Sequence, residues 1–99
     1  AESTSVITAE TAGAASFAKS VHSGEHITLE KIDTIASTLA APRVADGAIE
    51  RMKTYKAGTH AIGDVSDAEA VQACVSFSRD HRILVEPSCG AALSLLYSD

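Results

Sequence analysis

The residue in this chain best placed for chemistry is a cysteine near the C-terminus. It lies in the stretch Glu86-Pro87-Ser88-Cys89-Gly90-Ala91-Ala92. An apolar run at 83–85 precedes it and a helical run at 91–97 follows it. The stretch therefore reads as strand, tight turn, helix. Pro87 disfavours helix in the residue before it, and Ser88 is a good N-cap. Cys89 then occupies the first turn, where free backbone N–H groups and the helix dipole favour an electron-rich partner. A thiol there can hydrogen-bond a group held at the end of a sheet. The competing reading makes Cys89 a small core residue beside a close-packed Gly90. A redox role is a weaker third reading, since helix starts activate thiols.

Other chemical groups form no catalytic set. His22, His26, His60 and His81 give no metal-ligand pairing, because Gly24 separates the two that stand four apart. The lysines Lys19, Lys31, Lys53 and Lys56 fall in helical-looking segments and read as solvated faces. The six glycines are all separated, so no glycine run exists to cradle a phosphate. No catalytic residue is assigned. Glu10 stands between a strand and a helix start, where a carboxylate gains from the dipole.

The elements that must position these residues alternate. Residues 5–10 read as a strand, from Val6, Ile7 and Thr8. Thr11 caps a helix whose face is Ala14, Phe17, Ala18 and Val21, with Gly24 as its stop. Leu29, Ile32, Ile35, Ala36 and Leu39 share a face and predict a second helix, broken at Pro42. Residues 43–56 predict a third, with Val44, Ala48, Met52 and Tyr55 on one side. Residues 59–65 read as a strand. Ser66 and Glu69 fit a capping box, opening a helix to about Asp80 with Val71, Cys74, Val75 and Ser78 inward. Residues 83–85 are a third strand before the last helix. This β-α-α-α-β-α-β-α order predicts an α/β fold, with helices packed on a mostly parallel sheet.

Composition bounds the function. A chain of 99 residues holds one small domain or part of a larger one. Much of its 45% apolar content is alanine, so its core is short of large side chains and points to missing partners. A net charge of −5 with scattered basic residues argues against nucleic acid. No apolar run approaches the roughly 20 residues of a membrane helix. Two cysteines without CxxC spacing and no visible secretory signal point to a reducing cytoplasm. The chain opens almost on a strand and stops at a helix, as expected of a fragment of a longer chain.

Three ordered blocks carry a family resemblance. They are Glu10-Thr11-Ala12-Gly13-Ala14-Ala15-Ser16-Phe17, Ile27-Thr28-Leu29-Glu30-Lys31-Ile32, and the run from Ile83 through Ala92. Together they resemble the L-serine dehydratase/L-threonine deaminase family, pyridoxal 5'-phosphate (PLP) enzymes of tryptophan synthase β-like fold. The resemblance implies that residues 1–99 are the C-terminal portion of the PLP-binding α/β domain. It implies an ammonia-lyase converting serine to pyruvate and ammonia, and a homodimer as full protein. It places Cys89 at the pyridine nitrogen of PLP and Thr38 against one face of the ring. A neutral thiol leaves that nitrogen largely unprotonated and limits carbanion build-up. It also implies a monovalent cation (K+ or Na+) held by Glu10 and by the carbonyls of Ala14, Leu39 and Ala41. Leu39-Ala40 and Pro42-Arg43 depart from the family pattern there. The Schiff-base lysine and the phosphate loop belong to the rest of the parent chain, so this chain alone is expected to be inactive. The alternative is a non-catalytic α/β binding or subunit-interaction module.

Overall fold

The computed structural model describes residues 3–55 and 58–98. Two strands, β1 (Val6–Thr11) and β2 (Thr59–Val65), form a parallel sheet. Val6 pairs with Thr59 and Ala9 with Ile62, before an irregularity shifts the register so that Thr11 faces Val65. Parallel neighbours need a crossover. Here it contains a 3-10 turn (Ala12–Ala14), α1 (Ser16–Ser23), a long irregular segment, and α2 (Asp46–Thr54). Helices α3 (Asp67–His81) and α4 (Pro87–Tyr97) follow and pack on each other. The α/β expectation holds.

The helix ends follow local chemistry. Gly24 closes α1 in the left-handed conformation, as predicted. The capping box of α3 is complete: the Ser66 hydroxyl accepts from the Glu69 N–H, and the Glu69 carboxylate accepts from the Ser66 N–H, both at 3.0 Å. Tyr97 on α4 donates to the Asp80 carboxylate on α3 at 2.7 Å. That bond holds the Tyr97 phenol above its ordinary pKa, because the neutral form is the donor.

Five expectations are corrected. The helix predicted through Leu29 and Leu39 does not form; residues 25–45 carry no regular element. Its backbone bonds go elsewhere: Leu29 N–H to the Pro42 carbonyl, Asp33 N–H to Gly13, and Ile35 N–H to the Asp67 carboxylate. Asp33 and Thr34 also favour turns over helix interiors. The helix expected over 43–56 starts only at Asp46 and ends at Thr54, with Lys56 outside the described residues. Residues 83–85 pair with no strand among the described residues, and Leu84 is 90% exposed. Ser88 is not the N-cap of the last helix; Glu86 is, with Pro87 at the first helical position. On α3 the inward residues are Ala70 and Ala73, while Val71 and Val75 are exposed.

The last correction follows from how closely α3 and α4 approach. A Cβ at Gly90 would lie 2.1 Å from the Ala70 carbonyl oxygen and 2.6 Å from the Cys74 sulfur. Only glycine at 90 and small residues opposite permit that spacing. Val65, Ala70 and Ala91 form the core beneath, with Leu39, Ile62 and Leu95 packed against it.

Candidate functional site

The site grows from two helix tips and the irregular segment between them. At the first tip, β1 delivers Glu10 to the start of α1. Its carboxylate accepts from the Phe17 N–H at 3.0 Å and from the Ala18 N–H at 2.7 Å. These are two of the orphan donors of the first turn, and a carboxylate satisfies them with the dipole in its favour. Ala14 is buried in the 3-10 turn just before. Ser16, at the first helical position and buried, donates its hydroxyl to the Ala41 carbonyl at 2.7 Å. Glu10, Ala14 and Ala41 therefore gather around one helix start. The sequence reasoning missed Ser16, which is buried and polar inside a block already singled out.

At the second tip, Cys89 is the third residue of α4 and its side chain is exposed. It is not sealed in the interior. Thr38 comes to the same tip. Its hydroxyl bonds the Glu86 carboxylate and, at 2.6 Å, the Ser88 hydroxyl. The Leu39 N–H donates to Ser88 at 3.1 Å. Glu86 and Ser88, just before Cys89, thus hold the Thr38–Leu39 turn. Gly90, pressed on α3, and Cys74, bonded through sulfur to the Glu86 carbonyl at 3.3 Å, fix the tip from behind.

The irregular segment joins the tips, and polar side chains pin it along its length. The Ser20 hydroxyl accepts from Ile27 N–H at 2.9 Å. His26 bonds the Val44 carbonyl at 2.6 Å and approaches the Asp46 carboxylate at 3.3 Å. The Arg43 guanidinium donates to the His26 carbonyl and the Thr28 hydroxyl. The Asp67 carboxylate accepts from the Thr34 hydroxyl at 2.5 Å.

The donor chemistry fits both groups implied by the resemblance. An exposed thiol is a weak neutral donor, as a pyridine nitrogen kept unprotonated requires. Glu10 and three backbone carbonyls make an all-oxygen set, which suits a hard monovalent cation. Each Glu10 oxygen accepts one N–H and retains a further lone pair. The Leu39 carbonyl accepts no hydrogen bond among the described residues. No group of three or more His, Cys, Asp or Glu stands ready for a metal among the described residues. Lys19 and Lys53 are exposed on helices and Lys31 is exposed in the irregular segment.

A cavity of about 440 Å³ opens between β1 and α2. Val6, Phe17, Val44 and Met52 line it, and Glu10 and Leu39 reach it from the site side.

Comparison with known proteins shows the family of the chain. The family model described as pyridoxal-phosphate dependent enzyme matches residues 1–99. The L-serine dehydratase of Saccharomyces cerevisiae (strain YJM789) is 36% identical over 97 residues, covering 98% of this chain and 28% of the yeast protein. The L-serine dehydratase/L-threonine deaminase of Bos taurus is 46% identical over 94 residues, covering 95% of this chain and 28% of the bovine protein. The crystal structure of a fungal L-serine ammonia-lyase from Rhizomucor miehei superposes with a TM-score of 0.90 at 37% identity, over 98% of this chain and 30% of that one. The chain thus spans less than a third of the length of these relatives.

Proposed function

Because the chain belongs to the pyridoxal-phosphate dependent enzyme family, we propose that it is the C-terminal part of the cofactor domain of an L-serine/L-threonine ammonia-lyase. The parent converts L-serine to pyruvate and ammonia by β-elimination. The observation that carries this is the α4 tip, where an exposed Cys89 directly follows Ser88, which together with Glu86 holds Thr38. When bound, PLP supplies the electron sink that lets an α-proton and then hydroxide leave.

The chain's own residues orient and tune. Cys89 holds the ring nitrogen without delivering a proton to it, and Thr38 bounds one face of the ring. Glu10, with the carbonyls of Ala14, Leu39 and Ala41, holds a monovalent cation (K+ or Na+) that stiffens the loop carrying Thr38. The amino-acid substrate, the Schiff-base lysine and the phosphate loop meet this surface from the remainder of the parent chain. The parent works as a cytoplasmic homodimer. No helix among the described residues is long and apolar enough to cross a membrane.

The test is the full-length protein with PLP and L-serine. Cofactor absorbance and pyruvate release are expected, both dependent on K+ or Na+. Absence of both the absorbance and pyruvate overturns the reading. Pyruvate that forms equally well without either cation overturns the cation site alone.

A further inference from the structure

Thr38 and Cys89 come from segments fifty residues apart that share no ladder of backbone hydrogen bonds. The side-chain bonds that bring the Thr38 turn to α4 run through Glu86 and Ser88. We propose that the Ser88 hydroxyl is a positioning residue, which holds the Thr38–Leu39 turn in register with Cys89 so that both meet one planar cofactor ring. This rests on the PLP reading above.

Proton counting makes Ser88 the centre of the link. Thr38 has one hydroxyl proton. Given to the Glu86 carboxylate, the stronger acceptor, it leaves the 2.6 Å contact to be made by Ser88 donating to Thr38. The Ser88 oxygen is then free to accept the Leu39 N–H at 3.1 Å. The result is a directed chain from Leu39 N–H through Ser88 and Thr38 to a charged carboxylate. Ser88 makes two of its three bonds. Ser88 is half-buried, whereas Thr38 and Glu86 at the far end of the chain are exposed. Cys89 follows Ser88 in the same helical turn, so a shift of Ser88 against the turn is a shift of Thr38 against Cys89.

The test uses the full-length protein as Ser88→Ala and Ser88→Thr, beside the unchanged form. PLP affinity is titrated by fluorescence, and the absorbance and circular dichroism of the bound cofactor are recorded. Thermal unfolding of the cofactor-free form is followed in parallel. Ser88→Ala is expected to weaken PLP binding roughly threefold to tenfold, the range of one or two net hydrogen bonds. It should also alter the circular dichroism of the bound ring. Ser88→Thr keeps the hydroxyl and is expected to restore both. Ser88→Ala that lowers only the unfolding temperature, with affinity and ring spectra unchanged, overturns the inference and leaves the PLP reading standing. Failure of Ser88→Thr to rescue overturns it too. Unchanged protein that takes up no PLP overturns the PLP reading itself, and the inference falls with it.

Discussion

Glu10 and Cys89 are both polar residues at helix starts, yet their substitutions should behave differently. Glu10 accepts two charge-assisted hydrogen bonds from the start of α1. Glu10→Ala strands the Phe17 and Ala18 N–H groups and is expected to cost about 1–3 kcal/mol in denaturant unfolding, the range for a lost charged acceptor. Cys89 is exposed and makes no hydrogen bond through its sulfur among the described residues. Cys89→Ala should therefore leave unfolding within about 0.5 kcal/mol of the unchanged chain. In the full-length protein the same change should shift the absorbance of bound PLP, and Cys89→Asp should shift it further by protonating the ring nitrogen. Spectra identical across the three forms would remove Cys89 from the ring. Both residues were legible in the sequence, because a charge or thiol beside a helix start is a local signal. Ser16 and Ser88 were not seen as anchors, since what they bond, Ala41 and the Thr38 turn, lies 25 and about fifty residues away.

At the scale of elements, sequence signals held where the deciding bonds are local and failed where they are not. The capping box of α3 needs only residues 66–69, and it forms as expected. Ser66→Ala removes the hydroxyl that caps Glu69 N–H and should cost about 0.5–2 kcal/mol, read from the unfolding midpoint. Glu69 adds a pH dependence. Bonds from the Ser66 backbone N–H and hydroxyl hold its carboxyl below its ordinary pKa. The unfolded state then binds the proton more readily, so stability rises with pH across that range. The contribution is fully present above the ordinary carboxylate pKa and is lost as pH falls through the lowered folded value. The stability difference between the unchanged chain and Glu69→Gln should shrink on acidification; a constant difference would mean that charge plays no part. The apolar spacing of Leu29, Ile32, Ile35 and Leu39 imitates a helix, yet Gly13, Pro42 and Asp67 take the backbone bonds a helix would need. No local pattern encodes those partners. Gly90 is the converse case, a small residue whose reason appears only when α3 is placed against it. Gly90→Ala forces a carbon onto the Ala70 carbonyl and should cost about 1–3 kcal/mol, with the α4 tip displaced.

The whole molecule is held by small contacts. Among the described residues the buried apolar set is alanine apart from Phe17, Ile49 and Val65. Alanines allow helices to approach closely but remove little area from water each. Meanwhile Leu84 is 90% exposed, Leu96 83% and Ile7 58%, spread over the unpaired 83–85 segment, α4 and β1. A parallel sheet is normally covered on both faces. Among the described residues only two strands are present, and the yeast and bovine L-serine dehydratases named above are more than three times as long. The scarcity of large side chains was readable from composition. Which apolar residues would lie bare was not, because periodicity reports a face without saying what covers it. These 99 residues prepared alone should therefore bind a hydrophobic dye and sediment above the 10.2 kDa of one chain. Changing Leu84 and Leu96 to Gln should reduce both, with little loss of helix by circular dichroism, since neither side chain is in the core. In the full-length protein the same two changes should instead destabilise, because there the leucines acquire neighbours. A 99-residue chain that stays monomeric and dye-free would mean that its small core suffices and that the bare leucines need no cover.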